Sequence, residues 1–168
     1  MIAHLHCDAV PHLLAVDVGL TFGWACYSHS NQLISYGSHH CTRRAKLKTL
    51  SWHLLRQLPP HSVVYAEGGG DLNSLWRRNA EKHGLAFRSL PAEQWRDECF
   101  YSRDRSRGAE AKRAAQRIAH TLVASQGKTS ATPLRHDTAE AIVMGWWALR
   151  ELEWLRLDHF KAQLGISR

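Results

Sequence analysis

The chain of 168 residues lacks the features that mark membrane and exported proteins. Its longest nearly apolar stretch, Ala139 to Leu149, contains Glu140 and is well short of the roughly 20 apolar residues that a membrane-spanning helix needs. Residues 1–12 hold no Lys or Arg and no apolar core of the kind that export signals carry. We therefore expect no membrane association and a cytoplasmic location.

Cysteine is scarce and irregularly spaced. The four cysteines (Cys7, Cys26, Cys41 and Cys99) form no C-x-x-C pair and no regular framework. This spacing is typical of reduced thiols in the cytosol and excludes a secreted disulfide scaffold. No internal repeat or low-complexity linker interrupts the chain. The sequence therefore predicts an irregular lead-in over residues 1–12 and a single domain over residues 13–168.

Negative charge is also in deficit. The chain has 22 Lys and Arg against 15 Asp and Glu, a formal net charge of +7, with 44% apolar residues. That apolar fraction is typical of a folded globular protein rather than a disordered one. The positive charge favours a polyanionic partner, of which nucleic acid is the commonest in the cytosol.

The hydrophobic pattern predicts five strands, four longer helices and one short helix. The expected strands are 13–18, 23–28, 33–37, 62–67 and 85–90. The expected helices are 42–58, 71–83, a short one opening at Pro91, 109–125 and 137–157. Short turns between the first three strands predict an antiparallel meander, followed by alternating helices and strands. The fold class is therefore mixed α/β.

Two carboxylates lie at the ends of apolar strands. Asp17 lies within Leu-Leu-Ala-Val-Asp-Val, and Glu67 ends Val-Val-Tyr-Ala-Glu before three glycines. An unpaired ionised carboxylate in apolar surroundings costs several kcal/mol, so each needs a cation, a hydrogen-bonding partner or an exposed strand end. Each alone is compatible with a bond to nearby backbone or Arg. Together they indicate a site, because ligand sites of α/β sheets collect at strand ends.

A third acidic position, Asp137-Thr-Ala-Glu140, has two interpretations. The spacing is close to a capping box, which needs no function. It also places both carboxylates on one face of the first turn of a helix. With Asp17 and Glu67 they make four oxygen-donor side chains, the chemistry that a hard cation such as Mg²⁺ prefers. Paired Mg²⁺ ions held in this way catalyse phosphodiester hydrolysis.

The segments around these acids resemble the RuvC-type Holliday junction resolvases of the RNase H-like superfamily. Asp17, in Leu-Ala-Val-Asp-Val-Gly-Leu-Thr-Phe-Gly-Trp, resembles the opening strand motif of that family. Glu67 resembles its second acid, and Asp137 with Glu140 resembles the paired acids that open its last helix. The segment Pro-Ala-Glu-Gln-Trp-Arg from Pro91, with Ala-Lys at 111–112, is similar to the phage and mobile-element branch.

The resemblance implies an RNase H-like fold with a five-stranded mixed sheet flanked by helices. It implies a homodimeric endodeoxyribonuclease that makes paired nicks in four-way DNA junctions, in a nucleoid-associated cytoplasmic location. The catalytic residues and metal ligands would be Asp17, Glu67, Asp137 and Glu140. They would hold two Mg²⁺ ions per active site, with Mn²⁺ as a substitute.

Two positions depart from the family pattern. Glu140 stands where the family more often has Asp. Gly68-Gly-Gly70 stands where the family has an amide and an aromatic residue used at the junction centre. Trp76 is a candidate replacement for that aromatic side chain.

Basic clusters identify candidate nucleic-acid contacts. A charge run is often only a solvated surface, but the Arg- and Ser-rich segment 102–107 suits phosphate contacts that do not specify sequence. The candidates are Gly69, Arg77, Arg78, Arg103, Arg105, Arg107 and Lys112. We expect about six neutralised phosphates and a slope near −5 of log affinity against log salt concentration.

Three alternatives remain beside the resolvase. The chain is also compatible with an RNase H-like nuclease that acts on RNA or on other branched DNA. A junction-binding module without catalysis is the second alternative, because Glu140 and the glycine run are atypical. The Asp-Val-Gly-Leu-Thr segment at Asp17 also occurs in actin-like ATPases, but those need two such domains and this chain is long enough for one.

Overall fold

The computed structural model describes residues 10–105, 108–129 and 133–165. Five strands form one sheet in the order β3-β2-β1-β4-β5. The strands are β1 (His12–Asp17), β2 (Thr21–Ser28), β3 (Leu33–His40), β4 (Val63–Glu67) and β5 (Ala86–Leu90). β2 pairs antiparallel with both β1 and β3, whereas β4 pairs parallel with both β1 and β5. The predicted meander and the five-stranded mixed sheet are confirmed.

Helices cover both faces of this sheet. They are α1 (Arg44–Arg56), α2 (Gly70–Lys82), α3 (Ala92–Cys99), α4 (Ser102–Arg105), α5 (Gly108–Ser125), α6 (His136–Glu151) and α7 (Leu157–Leu164). One face of the sheet is covered by α1 and α2, and the other face is covered by α3, α5, α6 and α7. This arrangement confirms the mixed α/β class.

The central strand β1 divides the core into two halves. Successive side chains of a strand point to opposite faces of its sheet. Leu13 and Ala15 accordingly pack in the core under α6, whereas Leu14 and Val16 pack in the core under α1 and α2. Asp17 continues the first set and therefore faces α6.

Two glycines allow α6 to lie unusually close to the sheet. A Cβ added to Gly23 would fall 2.0 Å from the Asp137 carbonyl carbon, and one added to Gly145 would fall 2.5 Å from the Tyr27 ring. Gly23 lies opposite Asp17 in the β1–β2 register. The absence of a side chain at Gly23 therefore places the first turn of α6 directly against the end of β1.

The long helix predicted over 137–157 is wrong beyond Glu151. α6 ends at Glu151, and α7 begins six residues later at Leu157. Glu153 has a φ of 59°, so the chain reverses there, and the amides of Trp154 and Leu155 both bond to the Leu149 carbonyl. The turn lets α7 fold back, which buries Phe160 and Leu164.

Other differences from the expected elements are small. β1 begins at His12, the last residue of the predicted lead-in, and β3 runs three residues further than expected, to His40. The Arg- and Ser-rich segment contains the one-turn helix α4, which packs against α3 and α5. Cys26, Cys41 and Cys99 are free, as predicted, and Cys7 lies outside the described residues. Within the described ranges, no helix is both long enough and apolar enough to span a membrane.

Candidate active site

The first two acids meet at one edge of the sheet because of strand register. β1 and β4 are parallel, and Asp17 lies directly opposite Glu67. Val63 and Tyr65 pack in the core under α6, so the alternation of β4 turns Glu67 to the same face as Asp17. Parallel pairing thus brings the two predicted strand-end acids together, and both side chains are partly buried.

The first turn of α6 adds the other two acids above this edge. Asp137 accepts a hydrogen bond from the Ser38 hydroxyl at 3.1 Å, and its other oxygen lies 3.5 Å from Arg135 Nε. Glu140, one turn further along, is 7% exposed. The capping-box interpretation is wrong, because α6 begins at His136, its N-cap is Arg135, and no side chain caps it.

A cation and an indole from α3 bind two of these carboxylates. Arg96 donates from Nη2 to Glu140 Oε1 at 2.6 Å and to Glu67 Oε1 at 3.3 Å. Trp95 donates from its indole nitrogen to Glu67 Oε2 at 2.5 Å. Arg96 Nε is buried and has no hydrogen-bond partner among the described residues. One guanidinium therefore bridges a carboxylate on β4 and a carboxylate on α6.

The cluster carries more negative charge than this arginine balances. Burial, together with the nearby charges of Glu140, Glu67 and Asp137, raises the pKa of Asp17 to about 8 against the opposing effect of Arg96. Burial also raises the pKa of Glu67, against the opposing effects of Arg96 and the Trp95 hydrogen bond. The other three acids therefore lie close enough to influence Asp17, and the site stabilises added positive charge.

An open cleft of about 490 Å³ gives access to the acids. Its walls include Asp17, Asp137 and Glu140 together with Lys112 from α5 and His136 at the start of α6. The cleft therefore combines three of the four acids with Lys112, which is a predicted nucleic-acid contact. A phosphate entering this cleft would meet both the acids and a cationic side chain.

The donor chemistry of the cluster fits hard divalent cations. Its four side chains offer only carboxylate oxygens, and the pKa of Asp17 is raised first by burial and then by the negative charges of Glu140, Glu67 and Asp137. No group of three or more His, Cys, Asp or Glu side chains within the described ranges has the arrangement of metal ligands. Arg96 lies between Glu67 and Glu140 instead. The residues fit the cation in chemistry and charge, and the position of Arg96 is the feature that must change.

Of the other predicted nucleic-acid contacts, Gly69, Arg77, Arg78 and Arg103 lie outside this cleft. Gly69 is the exposed N-cap of α2, and Arg77 and Arg78 are exposed on the same helix. Arg103, on α4, lies 82% exposed and 3.9 Å from Asp104, and Arg105 ends that helix. Arg107 lies outside the described residues.

Trp76 is not available as a replacement for the aromatic residue that the family uses at the junction centre. Its side chain is fully buried and packs edge-on against Phe22, with the ring centroids 5.3 Å apart. The periodicity of α2 turns Trp76 into the core under α1 and α2. Gly68 and Gly70 both have positive φ, 123° and 66°, which makes the turn from β4 into α2.

Sequence reasoning did not identify Trp95, Arg96 and Ser38 as site residues. The position of α3 could have been predicted from the order of the elements. This helix directly follows β5, and the carboxyl end of that parallel strand lies at the same edge of the sheet as Asp17 and Glu67. Ser38 had a weaker signal, since it depends on the β2–β3 register that places it opposite Gly23.

Comparisons with known proteins support the fold. No protein-family model matches the chain, and no curated protein sequence matches it. Among solved structures, the chain is similar to T. thermophilus RuvC in complex with a Holliday junction substrate, with a TM-score of 0.57 and 11% sequence identity. The match covers 85% of this chain and 96% of that one. The chain therefore has a RuvC-like fold of the RNase H-like type.

Proposed function

We propose that the protein is a metal-dependent endonuclease that resolves four-way (Holliday) DNA junctions by paired phosphodiester hydrolysis. One observation carries the proposal: four carboxylates from β1, β4 and α6 meet at one edge of an RNase H-like sheet, and three of them line a cleft that also contains Lys112. The RuvC-like fold and the positive net charge of +7 support a nucleic-acid substrate.

The proposed cation ligands are Asp17, Glu67, Asp137 and Glu140, which would hold two Mg²⁺ ions, or Mn²⁺ in their place. When bound, such ions supply a nucleophile at neutral pH and stabilise charge on the attacking and leaving oxygens. The protein provides the ligands on rigid elements, two at strand ends and two on the first turn of a buried helix. Ser38 fixes Asp137 by its hydrogen bond.

The proposed reaction is hydrolysis of one P–O3′ bond in each of two strands. The oxygen of a water molecule bonds to phosphorus, and the 3′ oxygen leaves and takes up a proton. The products are a 5′-phosphate and a 3′-hydroxyl. Lys112 lies in the cleft beside the acids, where its ammonium group neutralises a phosphate oxygen as the strand enters.

Paired nicks require two active sites, so we propose a homodimer acting on one junction. Contacts by Gly69, Arg77, Arg78, Arg103, Arg105 and Arg107 would hold the arms through their phosphates. Membership of the phage and mobile-element branch and a nucleoid-associated location in the cytoplasm stay predictions.

A non-catalytic junction-binding module is the second candidate. The bridge from Arg96 to Glu67 and Glu140 favours it, because a guanidinium at 2.6 Å satisfies a carboxylate that a metal ion would otherwise use. This candidate predicts tight binding to junctions without any product that depends on a divalent cation.

The experiment compares cleavage of a synthetic four-way junction, a matched duplex, a flap and an RNA duplex with Mg²⁺, Mn²⁺ or EDTA. Symmetric nicks on the junction that disappear in EDTA and in Glu67→Gln support the resolvase. Binding without cleavage under every metal supports the non-catalytic module. Preferential cleavage of RNA or flaps would support the four acids as the catalytic residues and would assign them a different substrate.

A further inference from the structure

A second concave surface lies on the other face of the sheet, between α1 and α2. It encloses about 400 Å³ and is lined by cationic side chains from both helices. The four cations are Arg44 and Lys48 on α1, and Arg78 and Lys82 on α2. We call this surface the basic groove.

Helical periodicity builds the groove. Arg44 and Lys48 are four residues apart on α1, and Arg78 and Lys82 are four apart on α2, so each pair forms a row about 6 Å long. Leu47 and Leu75 point into the core between the helices and the sheet. The apolar face of each helix is therefore buried, and the two basic rows face each other across solvent.

The groove begins at the same sheet edge as the acids. β3 and β4 both run parallel to β1, so their carboxyl ends lie at the edge that carries Asp17. α1 follows β3 and α2 follows β4, which places the first turns of both helices at that edge. Arg44 and Asp71, in these first turns, form an ion pair of 3.1 Å.

The positive charge of the groove is almost unbalanced. The Arg44–Asp71 pair is largely exposed, at 48% and 84%, and contributes little. Among the described residues, no carboxylate lies within ion-pair distance of Lys48, Arg78 or Lys82. Four cations thus line a concave surface that attracts a polyanion, and Asp71 pairs with only one of them.

An exposed aromatic residue extends the α1 row. Trp52, four residues after Lys48, is 36% exposed, and its ring centroid lies 4.0 Å from that of His83. The Nε2 atom of His83 is buried and has no hydrogen-bond partner among the described residues. Cationic rows beside an aromatic face are typical of surfaces that follow a nucleic-acid backbone.

We propose that the basic groove binds the sugar–phosphate backbone of a DNA arm that leaves the acidic cleft. The inference rests on the proposed function, and it adds Arg44, Lys48 and Lys82 to the contacts expected from the sequence. A second copy of the chain does not fit the groove, because a symmetric contact there would bring like charges together.

The test is the salt dependence of DNA binding in EDTA, measured by fluorescence anisotropy with a labelled junction. The groove variant is Lys48→Gln/Lys82→Gln. The matched control is Lys128→Gln/Arg156→Gln, which removes the same charge at two positions outside both sites. Each lost phosphate contact lowers the magnitude of the slope by about 0.9. We expect a slope smaller by about 1.8 and an affinity lower by up to about 60-fold at 0.1 M salt.

The outcomes separate the groove from the nuclease. A loss of slope and affinity that is confined to the groove variant supports the proposal. Equal slopes for the groove variant, the control and the native protein overturn it while leaving the nuclease intact. An equal loss in the groove and control variants also overturns it, because the effect would then reflect net charge. Absence of DNA binding by the native protein overturns both.

Discussion

Replacement of Arg96 by Gln tests the electrostatic account of the site. The guanidinium contacts Glu140 at 2.6 Å and Glu67 at 3.3 Å, and the three side chains are only 28%, 9% and 12% exposed. Removing one partner of a buried ion pair costs about 3–5 kcal/mol, since the remaining charges lose their compensation. Because Arg96 is partly exposed, we expect the low end of that range, about 3 kcal/mol.

The loss has a signature that a simple packing defect lacks. In a domain of this size, about 3 kcal/mol corresponds to a fall in Tm of roughly 6–12 °C. The fall should be greatest above pH 7 in EDTA and smaller at pH 5, where the carboxylates bind protons more readily. Mg²⁺ should raise the Tm of Arg96→Gln by more than it raises that of the native protein, because the ion replaces the lost positive charge.

The assay is thermal unfolding at pH 5 and pH 8, with EDTA or Mg²⁺. The control is Arg117→Gln, which breaks a more exposed ion pair with Asp104 on another surface. That variant should lose less than about 1 kcal/mol and show no Mg²⁺ effect beyond the native one. A Tm loss in Arg96→Gln that is independent of both pH and Mg²⁺ would refute the reasoning.

Three further predictions concern the same cluster. The pKa of Asp17 is raised to about 8 in the folded protein. Between about pH 4 and pH 8 the folded protein therefore binds more protons than the unfolded chain. In EDTA the free energy of unfolding should accordingly fall as the pH rises through that window. Asp17→Asn should flatten this decline in thermal melts, and an unchanged decline would contradict the assignment. Gly23→Ala places a Cβ 2.0 Å from the Asp137 carbonyl carbon and should therefore displace α6. We expect the free energy of unfolding to fall by about 3 kcal/mol in urea titrations and Mn²⁺ binding to weaken. A neutral effect would show that α6 adjusts freely. Trp95→Phe removes the donor to Glu67 and should cost about 1–3 kcal/mol in urea titrations, with retention of native stability as the contradicting result.

Strand-end acids are the part of the site that local sequence predicts well. Asp17 and Glu67 follow apolar runs that only a buried strand explains, and parallel pairing then brings them together without further information. The carboxylates of α6 are predictable for the same reason, because an apolar helix must pack on the sheet. Gly23 is less obvious, since its importance depends on the close approach of that helix.

Features that depend on tertiary packing were beyond the sequence. No periodic pattern predicts that Arg96 contacts Glu67 and Glu140, because these partners lie 29 and 44 residues away in the sequence. The end of α6 was equally hidden: the segment from Leu152 to Leu155 continues the apolar pattern without Gly or Pro, and the reversal at Glu153 is set by the packing of α7. Burial of Trp76 depends on which face of α2 meets the sheet.

Anomalous diffraction from crystals of the protein grown with Mn²⁺ would locate the metal ions directly. We expect two Mn²⁺ peaks in direct contact with carboxylate oxygens of Asp17, Glu67, Asp137 and Glu140, with Arg96 displaced from its bridge. Peaks that are absent from this edge of the sheet at saturating Mn²⁺, with Arg96 still bridging Glu67 and Glu140, would contradict it.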